Sequence, residues 1–163
     1  MNHTGTIPLQ RPIKSTKIYN ILLADDDPDD RLLTSEALST TELPLRLSYV
    51  ENGEDLMQYL QHTGAYQNPS PARPDLILLD LSMPQKNGFE ALQAIKSDPK
   101  LRQIPVIVLS TSRSQEDIGR SYALGANSYV TKPQNYGSLI HTIQTLGKYW
   151  LEVVQLPSDR NVY

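Results

Sequence analysis

The sequence predicts an α/β fold in which a five-stranded parallel sheet is doubly wound by five helices. Three observations lead there. Short apolar runs alternate strictly with longer segments of helical period along the chain, and that alternation implies parallel strands joined by right-handed crossovers. Two of the runs, Leu76–Leu79 (LILL) and Val106–Leu109 (VIVL), are apolar at every position, which suits strands covered on both faces. Carboxylates, hydroxyls or a lysine follow the strands directly, and the carboxyl ends of the strands are where such sheets bind their ligands.

The elements follow in order. Residues 1–16 (MNHTGTIPLQRPIKST) hold two prolines and no hydrophobic period, so a flexible N-terminal arm is expected. Ile18–Ala24 reads as a buried strand. Pro28–Ser39 places apolar residues at Leu32, Leu33 and Ala37, as a helix would. Asp27 is its expected N-cap and Pro28 its first helical residue. Asp29 and Asp30 then fall in the first turn, where negative charge complements the helix dipole. Leu45–Val50 alternates Leu45, Leu47 and Tyr49, the period of a half-buried strand. Glu54–Gln61 is helical through Leu56, Met57 and Leu60. The long proline-rich stretch Thr63–Arg73 reads as a surface insertion before the third strand, Leu76–Leu79. Gly88–Ser97 is helical through Phe89, Leu92 and Ile95, and Val106–Leu109 is the fourth strand. Glu116–Leu124 is a helix closed by Gly125. Ser128–Val130 is a short fifth strand, and a last helix runs from Asn135 to Val154. The expected organisation is an arm over 1–16, one domain over 17–148 and an extension over 149–163.

Composition narrows the chemistry. Of 163 residues, 39% are hydrophobic and 20% charged, as in ordinary globular proteins. With no cysteine, disulfides, a thiolate nucleophile and thiolate-bound zinc or iron–sulfur sites are excluded. His3, His62 and His141 have no metal-like i, i+4 partners. No apolar run approaches the roughly 18 residues that cross a bilayer, and no signal-peptide apolar region opens the chain. A soluble, cytoplasmic protein without membrane contact is the expectation. A net charge of −3 without a basic stripe speaks against nucleic acid.

The strand ends carry the chemistry. Asp25, Asp26 and Asp27 follow the first strand, with Asp29 and Asp30 close behind. Helix capping accounts for Asp27, Asp29 and Asp30, but not for Asp25 and Asp26. Two carboxylates ~4 Å apart repel by about 4 kcal/mol at an effective dielectric of about 20, and a hard cation with oxygen ligands relieves that. An EF-hand loop is a poor fit. Asp25, Asp27, Asp29 and Glu36 take its first, third, fifth and twelfth places, but Asp30 stands where its glycine belongs and a strand precedes it. Asp80 follows the third strand, and Met83-Pro84 beyond it argues for a loop. Asp25, Asp26 and Asp80 therefore converge on one rim and suggest a Mg²⁺ site. Ser110 ends the fourth strand, and Ser112 or Ser114 caps the helix after it. Lys132, before Pro133, ends the fifth strand and can neutralise the acids or hold a phosphate.

An acidic pair, a lone Asp, a hydroxyl and a Lys-Pro, each behind its own strand, resemble the response-regulator receiver family, which has a chemotaxis-regulator-like, flavodoxin-like (βα)5 fold. The resemblance spans about Lys17 to Leu146. Asp25-Asp26 match its acidic pair, Asp80 its phosphoacceptor, Ser110 its switch hydroxyl, Tyr129 its switch aromatic and Lys132 its lysine. The third-strand run, the proline-bearing loop before it and the ending KYWLEVVQLP look like the stand-alone cyanobacterial phytochrome response regulators. The resemblance implies a two-component signalling protein that is not a turnover enzyme. Asp80 would take a phosphoryl group from a sensor histidine kinase, by the sub-family a phytochrome. Mg²⁺ would be held by Asp26, Asp80 and the backbone carbonyl of Ser82, with Asp25 direct or through water. Lys132 would spread the phosphoryl charge. Ser110 would then bond a phosphoryl oxygen, and Tyr129 would turn inward. Thr111 stands where the family usually has a small residue, and its methyl is expected to slow attack by water.

In the last helix Leu139, Ile143, Leu146, Trp150 and Val153 form an apolar stripe. Tyr149, Trp150, Val153, Val154 and Leu156 are expected to lie beyond the core, as the contact of a homodimer or partner. No output domain is expected after that helix, so signalling would pass through protein contacts. Two other readings remain at this point. One is a metal-dependent phosphohydrolase with an aspartyl nucleophile, although Ser82 stands where such enzymes commonly place a second Asp. The other is a phosphate-independent binding module.

Overall fold

The computed structural model describes residues 17–83 and 87–157. The expected arm (1–16), Pro84 and the last six residues of the extension lie outside them. The strands are β1 (Tyr19–Ala24), β2 (Leu45–Val50), β3 (Leu76–Asp80), β4 (Val106–Ser110) and β5 (Ser128–Thr131). The helices are α1 (Pro28–Ser39), α2 (Gly53–Gln61), α3 (Gly88–Ser97), α4 (Gln115–Ala123) and α5 (Tyr136–Lys148). All strand pairs are parallel, in the order β2-β1-β3-β4-β5. The order reverses at β1 and β3, so the carboxyl ends of these neighbours form the crevice typical of open α/β sheets.

Strand alternation sends successive side chains to opposite faces. Leu22, Ala24, Ile77, Leu79, Val106 and Val108 pack with α2 and α3 residues such as Leu56, Leu60, Leu92 and Ile95. Ile21, Leu23, Leu76, Leu78, Ile107 and Leu109 pack with Ala37 and Leu38 of α1 and with Leu139 and Ile143 of α5. The central strands are thus buried on both sides apart from the first two residues of β1, and the edge strands β2 and β5 are partly open. Each start of α1–α5 is capped by a side chain, Asp27 and Ser114 as expected and three asparagines besides. The carboxylate of Asp27 accepts from the backbone N–H groups of Asp29 and Asp30, and Asn52, Asn87, Ser114 and Asn135 cap α2, α3, α4 and α5. Gly125, at φ +102°, turns the chain after α4 in a conformation that favours glycine.

Four expectations need correction. Leu32, read as part of the apolar face of α1, is exposed; Ala37 is buried as expected, together with Thr34 and Leu38. Tyr49, read as an inward residue of β2, is also exposed and lies against the Arg31 guanidinium, 4.5 Å from its ring centroid. The insertion is not plain loop. It contains a 3₁₀ turn, Gly64–Tyr66, and Tyr66 packs edge-on against Tyr59 of α2 at 5.0 Å. The last helix is not uniform: α5 ends at Lys148 and Tyr149–Val153 forms a π-helical turn. Leu151 is buried there, and Trp150 and Leu156 pack on the α1/α5 core rather than lying beyond it. Tyr149 and Val153 are the exposed apolar residues of this segment, and Val154 is half-buried.

Candidate functional site

The site is assembled from the carboxyl ends of four strands. β1 delivers Asp25, 1% exposed, and then Asp26, which faces solvent. The turn into α1 fixes the first carboxylate, because the Asp27 N–H donates to Asp25 Oδ1 at 3.0 Å. Arg31, one turn into α1, donates to the Asp25 carbonyl at 3.0 Å and pairs with Glu51 at 3.4 Å. The loop around Asp25 is therefore held from both α1 and the end of β2.

β3 delivers Asp80, 9% exposed, whose Oδ1 accepts from the Ser82 N–H at 3.0 Å. The start of α3 presses on the same loop. The Gly88 N–H donates to the Leu81 carbonyl at 3.1 Å. A Cβ on Gly88 would sit 2.5 Å from Leu81 Cα and 2.7 Å from the Asp80 carbonyl oxygen. Only glycine lets helix and loop approach so closely. From β4, buried Ser110 accepts the Ser112 N–H on its Oγ at 3.2 Å. Ser112 Oγ in turn donates to Asp117 of α4 at 2.6 Å.

β5 delivers Lys132, 8% exposed, whose N–H donates to the Ser110 carbonyl at 2.7 Å. Its ammonium contacts three carboxylates: Asp25 Oδ2 at 2.9 Å, Asp30 Oδ2 at 3.1 Å and Asp80 Oδ2 at 3.3 Å. Burial pushes the Asp25 carboxyl above the usual carboxylate range, against the pull of Lys132. Burial alone would lower the Lys132 pKa, but Asp80 and Asp25 outweigh it and hold the ammonium above the ordinary lysine value. The two shifts have different sources: desolvation dominates at Asp25, and the neighbouring carboxylates dominate at Lys132.

Asp25, Asp26 and Asp80 each offer a carboxylate oxygen, and these lie within 4.8 Å of one another. An all-oxygen, all-carboxylate set of this size fits a hard divalent cation, and the surplus negative charge favours one. Tyr129 is half-buried, and its hydroxyl donates to the Ser112 carbonyl at 2.8 Å, while its N–H donates to the Tyr122 hydroxyl of α4 at 3.2 Å. The fifth strand is thus tied both to the Ser110 loop and to α4. Of the residues singled out in the sequence, Asp25, Asp26, Asp80 and Lys132 form one cluster, with Ser110 at the end of β4 and Tyr129 on β5 beside them. Asp30, which helix capping alone explains in the sequence, reaches the site as well. Its signal was the second acidic residue in a first turn already served by Asp29.

Comparison with known proteins agrees with this fold. The response regulator receiver domain family matches residues 21–144. Response regulator Rcp1 of Synechocystis sp. is 44% identical over 138 residues, covering 85% of this chain and 92% of its own. A probable methanogenesis regulatory protein, FilR2 of Methanothrix harundinacea, is 34% identical over 133 residues, covering 82% and 84%. Among solved structures, the phosphorylated cyanobacterial phytochrome response regulator RcpA superposes with a TM-score of 0.83 at 43% identity, covering 87% of this chain and all of that one. The Mn²⁺-bound form of Rcp1 superposes at 0.81, also at 43% identity, covering 86% and 99%. No helix among the described residues is long and apolar enough to cross a membrane. A doubly wound sheet whose crevice gathers these acids and this lysine, matched along three quarters of the sequence, makes the chain a member of the response regulator receiver domain family.

Proposed function

We propose that this protein is a cytoplasmic phosphoacceptor of a two-component signalling system, taking a phosphoryl group on Asp80 from the phosphohistidine of a sensor kinase. The observation that carries this reading is the Lys132 ammonium lying 3.3 Å from Asp80 Oδ2 inside the carboxylate cluster. An oxygen of Asp80 attacks phosphorus as the P–N bond breaks, and the histidine nitrogen keeps the bonding electrons. The product is an acyl phosphate on Asp80. There is little covalent work for other groups, so catalysis is positioning and charge stabilisation. The Ser82 N–H orients the carboxylate. Lys132 offers N–H donors to the phosphoryl oxygens as it gives up contacts to Asp80 and Asp25.

Asp25, Asp26 and Asp80, with the Ser82 backbone carbonyl, would hold Mg²⁺, which when bound neutralises charge on the transferring group. Ser110 would donate to a phosphoryl oxygen. That would pull on the loop whose Ser112 carbonyl holds Tyr129, and through Tyr129 and Tyr122 on α4. The phosphate thereby biases two arrangements of one coupled network. The protein would be modified by the transfer, not turn over a substrate. The likeness to RcpA and Rcp1 supports a phytochrome as the kinase. Tyr149 and Val153, exposed beside Trp150, support a homodimer through this segment. No observation favours a phosphohydrolase or a phosphate-independent module.

Intact-mass spectrometry tests the reading. Incubation with Mg²⁺ and acetyl phosphate should add one phosphoryl group to the parent and none to Asp80→Asn. No adduct on the parent, with a candidate phytochrome kinase also supplied, would refute it.

A further inference from the structure

We propose that Asp30 is the positioning residue for Lys132, the carboxylate that keeps the ammonium aimed at Asp80 once a divalent cation has claimed the others. The inference rests on the phosphoacceptor reading above. An ammonium has three N–H donors, and here three carboxylates take them: Asp25, Asp30 and Asp80, at 2.9, 3.1 and 3.3 Å. Two of these, Asp25 and Asp80, belong to the trio suited to a cation. A cation on one oxygen of each would draw charge from the whole carboxylate and weaken its hold on the ammonium. Asp30 lies outside that trio, so it is the carboxylate that keeps its full charge for the lysine when the cation is bound.

Its place in the fold suits the task. Asp30 is the third residue of α1, after the Asp27 cap and Pro28, on a turn whose backbone is already set. Buried Thr34 donates its hydroxyl to the Asp30 carbonyl at 2.8 Å. The side chain is two-thirds covered, at 33% exposure, whereas Asp29 in the same turn faces solvent. The helix-dipole role needs only an acid in this turn, and Asp29 meets it. The contact to Lys132 is what Asp30 adds. One N–H bound to Asp30 leaves two for phosphoryl oxygens, with the long lysine stem immobilised before the donor arrives.

The test compares the full chain with Asp30→Ala and Asp30→Asn, in two measurements. The first is the rate of acyl phosphate formation at saturating Mg²⁺ and acetyl phosphate, so that altered metal affinity cannot account for a change. The expected result is a loss of about tenfold in Asp30→Ala, partly recovered in Asp30→Asn, which keeps an acceptor oxygen. The second uses no phosphodonor: the ¹⁵Nζ–H signal of the Lys132 ammonium is recorded with Mg²⁺ alone. It should be sharp in the parent and broadened by exchange with water in Asp30→Ala. An undiminished or faster rate at saturating Mg²⁺, or an unchanged ammonium signal, overturns the proposal. If Asp30→Ala does not fold, Asp30→Asn carries both measurements, with a smaller loss expected. If the parent takes no phosphoryl group, the phosphoacceptor reading fails and the ammonium signal still decides the role of Asp30.

Discussion

Replacing Lys132 by methionine isolates the electrostatics of the site, because methionine fills the volume of the lysine stem and removes the charge. In the parent, the closest contact, 2.9 Å to Asp25, is worth about 6 kcal/mol at an effective dielectric of about 20. Much of that is offset by the desolvation of both groups. In the variant, Asp25 and Asp80 stay buried with no cation between them. The cost has a ceiling, since one of them can take a proton instead. Protonating a carboxyl of ordinary pKa near 3.9 costs about 4 kcal/mol at pH 7, and about 1.4 kcal/mol less for each unit of acidification. Lys132→Met should therefore lose about 3–4 kcal/mol of stability at pH 7, and under 2 kcal/mol at pH 5. The sign follows from linkage. The native variant holds a proton that the unfolded chain releases, so its stability falls as pH rises between those values. Equilibrium urea denaturation at pH 5, 6 and 7 with EDTA present reads this directly, and urea leaves the charges unscreened. A loss equal at all three pH values would mean that packing sets the cost, and the charge argument would be wrong.

Three further outcomes are expected. Burial and the hydrogen bond to Asp55 push the Tyr66 hydroxyl up to about 12, so its stabilising contribution is complete below about pH 10 and disappears as pH rises towards 12. The parent should lose stability relative to Tyr66→Phe across that window, and parallel alkaline denaturation curves would contradict it. Leu151→Ala should cost about 2–4 kcal/mol in urea, since Leu151 is buried in the α1/α5 core, whereas Val153→Ser should leave stability unchanged and lower the sedimentation coefficient if this segment pairs two copies. Thr111→Ala should shorten the life of the acyl phosphate if the methyl of Thr111, exposed just after β4, restricts attacking water; an unchanged hydrolysis rate of purified phosphoprotein would remove the idea.

The sheet and most of the site could be read from sequence because both obey local rules. Buried parallel strands announce themselves as unbroken apolar runs, and the residues after Ala24, Leu79, Leu109 and Val130 must then share one rim. Asp25, Asp80, Ser110 and Lys132 were found by that topology. Asp30 was not, because its capping role already explained it. Its partner stands 102 residues away, and no periodicity links a first helical turn to the end of the fifth strand. Tyr49 and Leu32 misled for a related reason. Each sits in the right element, but apolar character alone does not say which face is covered, and the exposed ring of Tyr49 has the Arg31 guanidinium over it.

The C-terminal stripe shows how a period can be read correctly and still choose the wrong residues. A spacing of 3.6 selects Leu139, Ile143, Leu146, Trp150 and Val153. The residues buried in α5 and the turn after it are Leu139, Ile143, Gly147 and Leu151, each four apart. Gly147 has no side chain to count as apolar, yet it packs tightly against α1: a Cβ there would sit 3.0 Å from Leu38 Cδ2. A four-residue step drifts around a regular α-helix unless the helix widens, and the π-helical turn supplies that widening, with the Val154 N–H reaching back to the Tyr149 carbonyl at 2.9 Å. It keeps Leu151 on the core, and the exposed pair Tyr149 and Val153 is left on the outer side. Restoring an α-helical period here, by deleting one residue from the turn, should rotate Leu151 out of its place and cost about as much as truncating it. A deletion variant as stable as the parent in urea would show that the turn is incidental to how the segment docks.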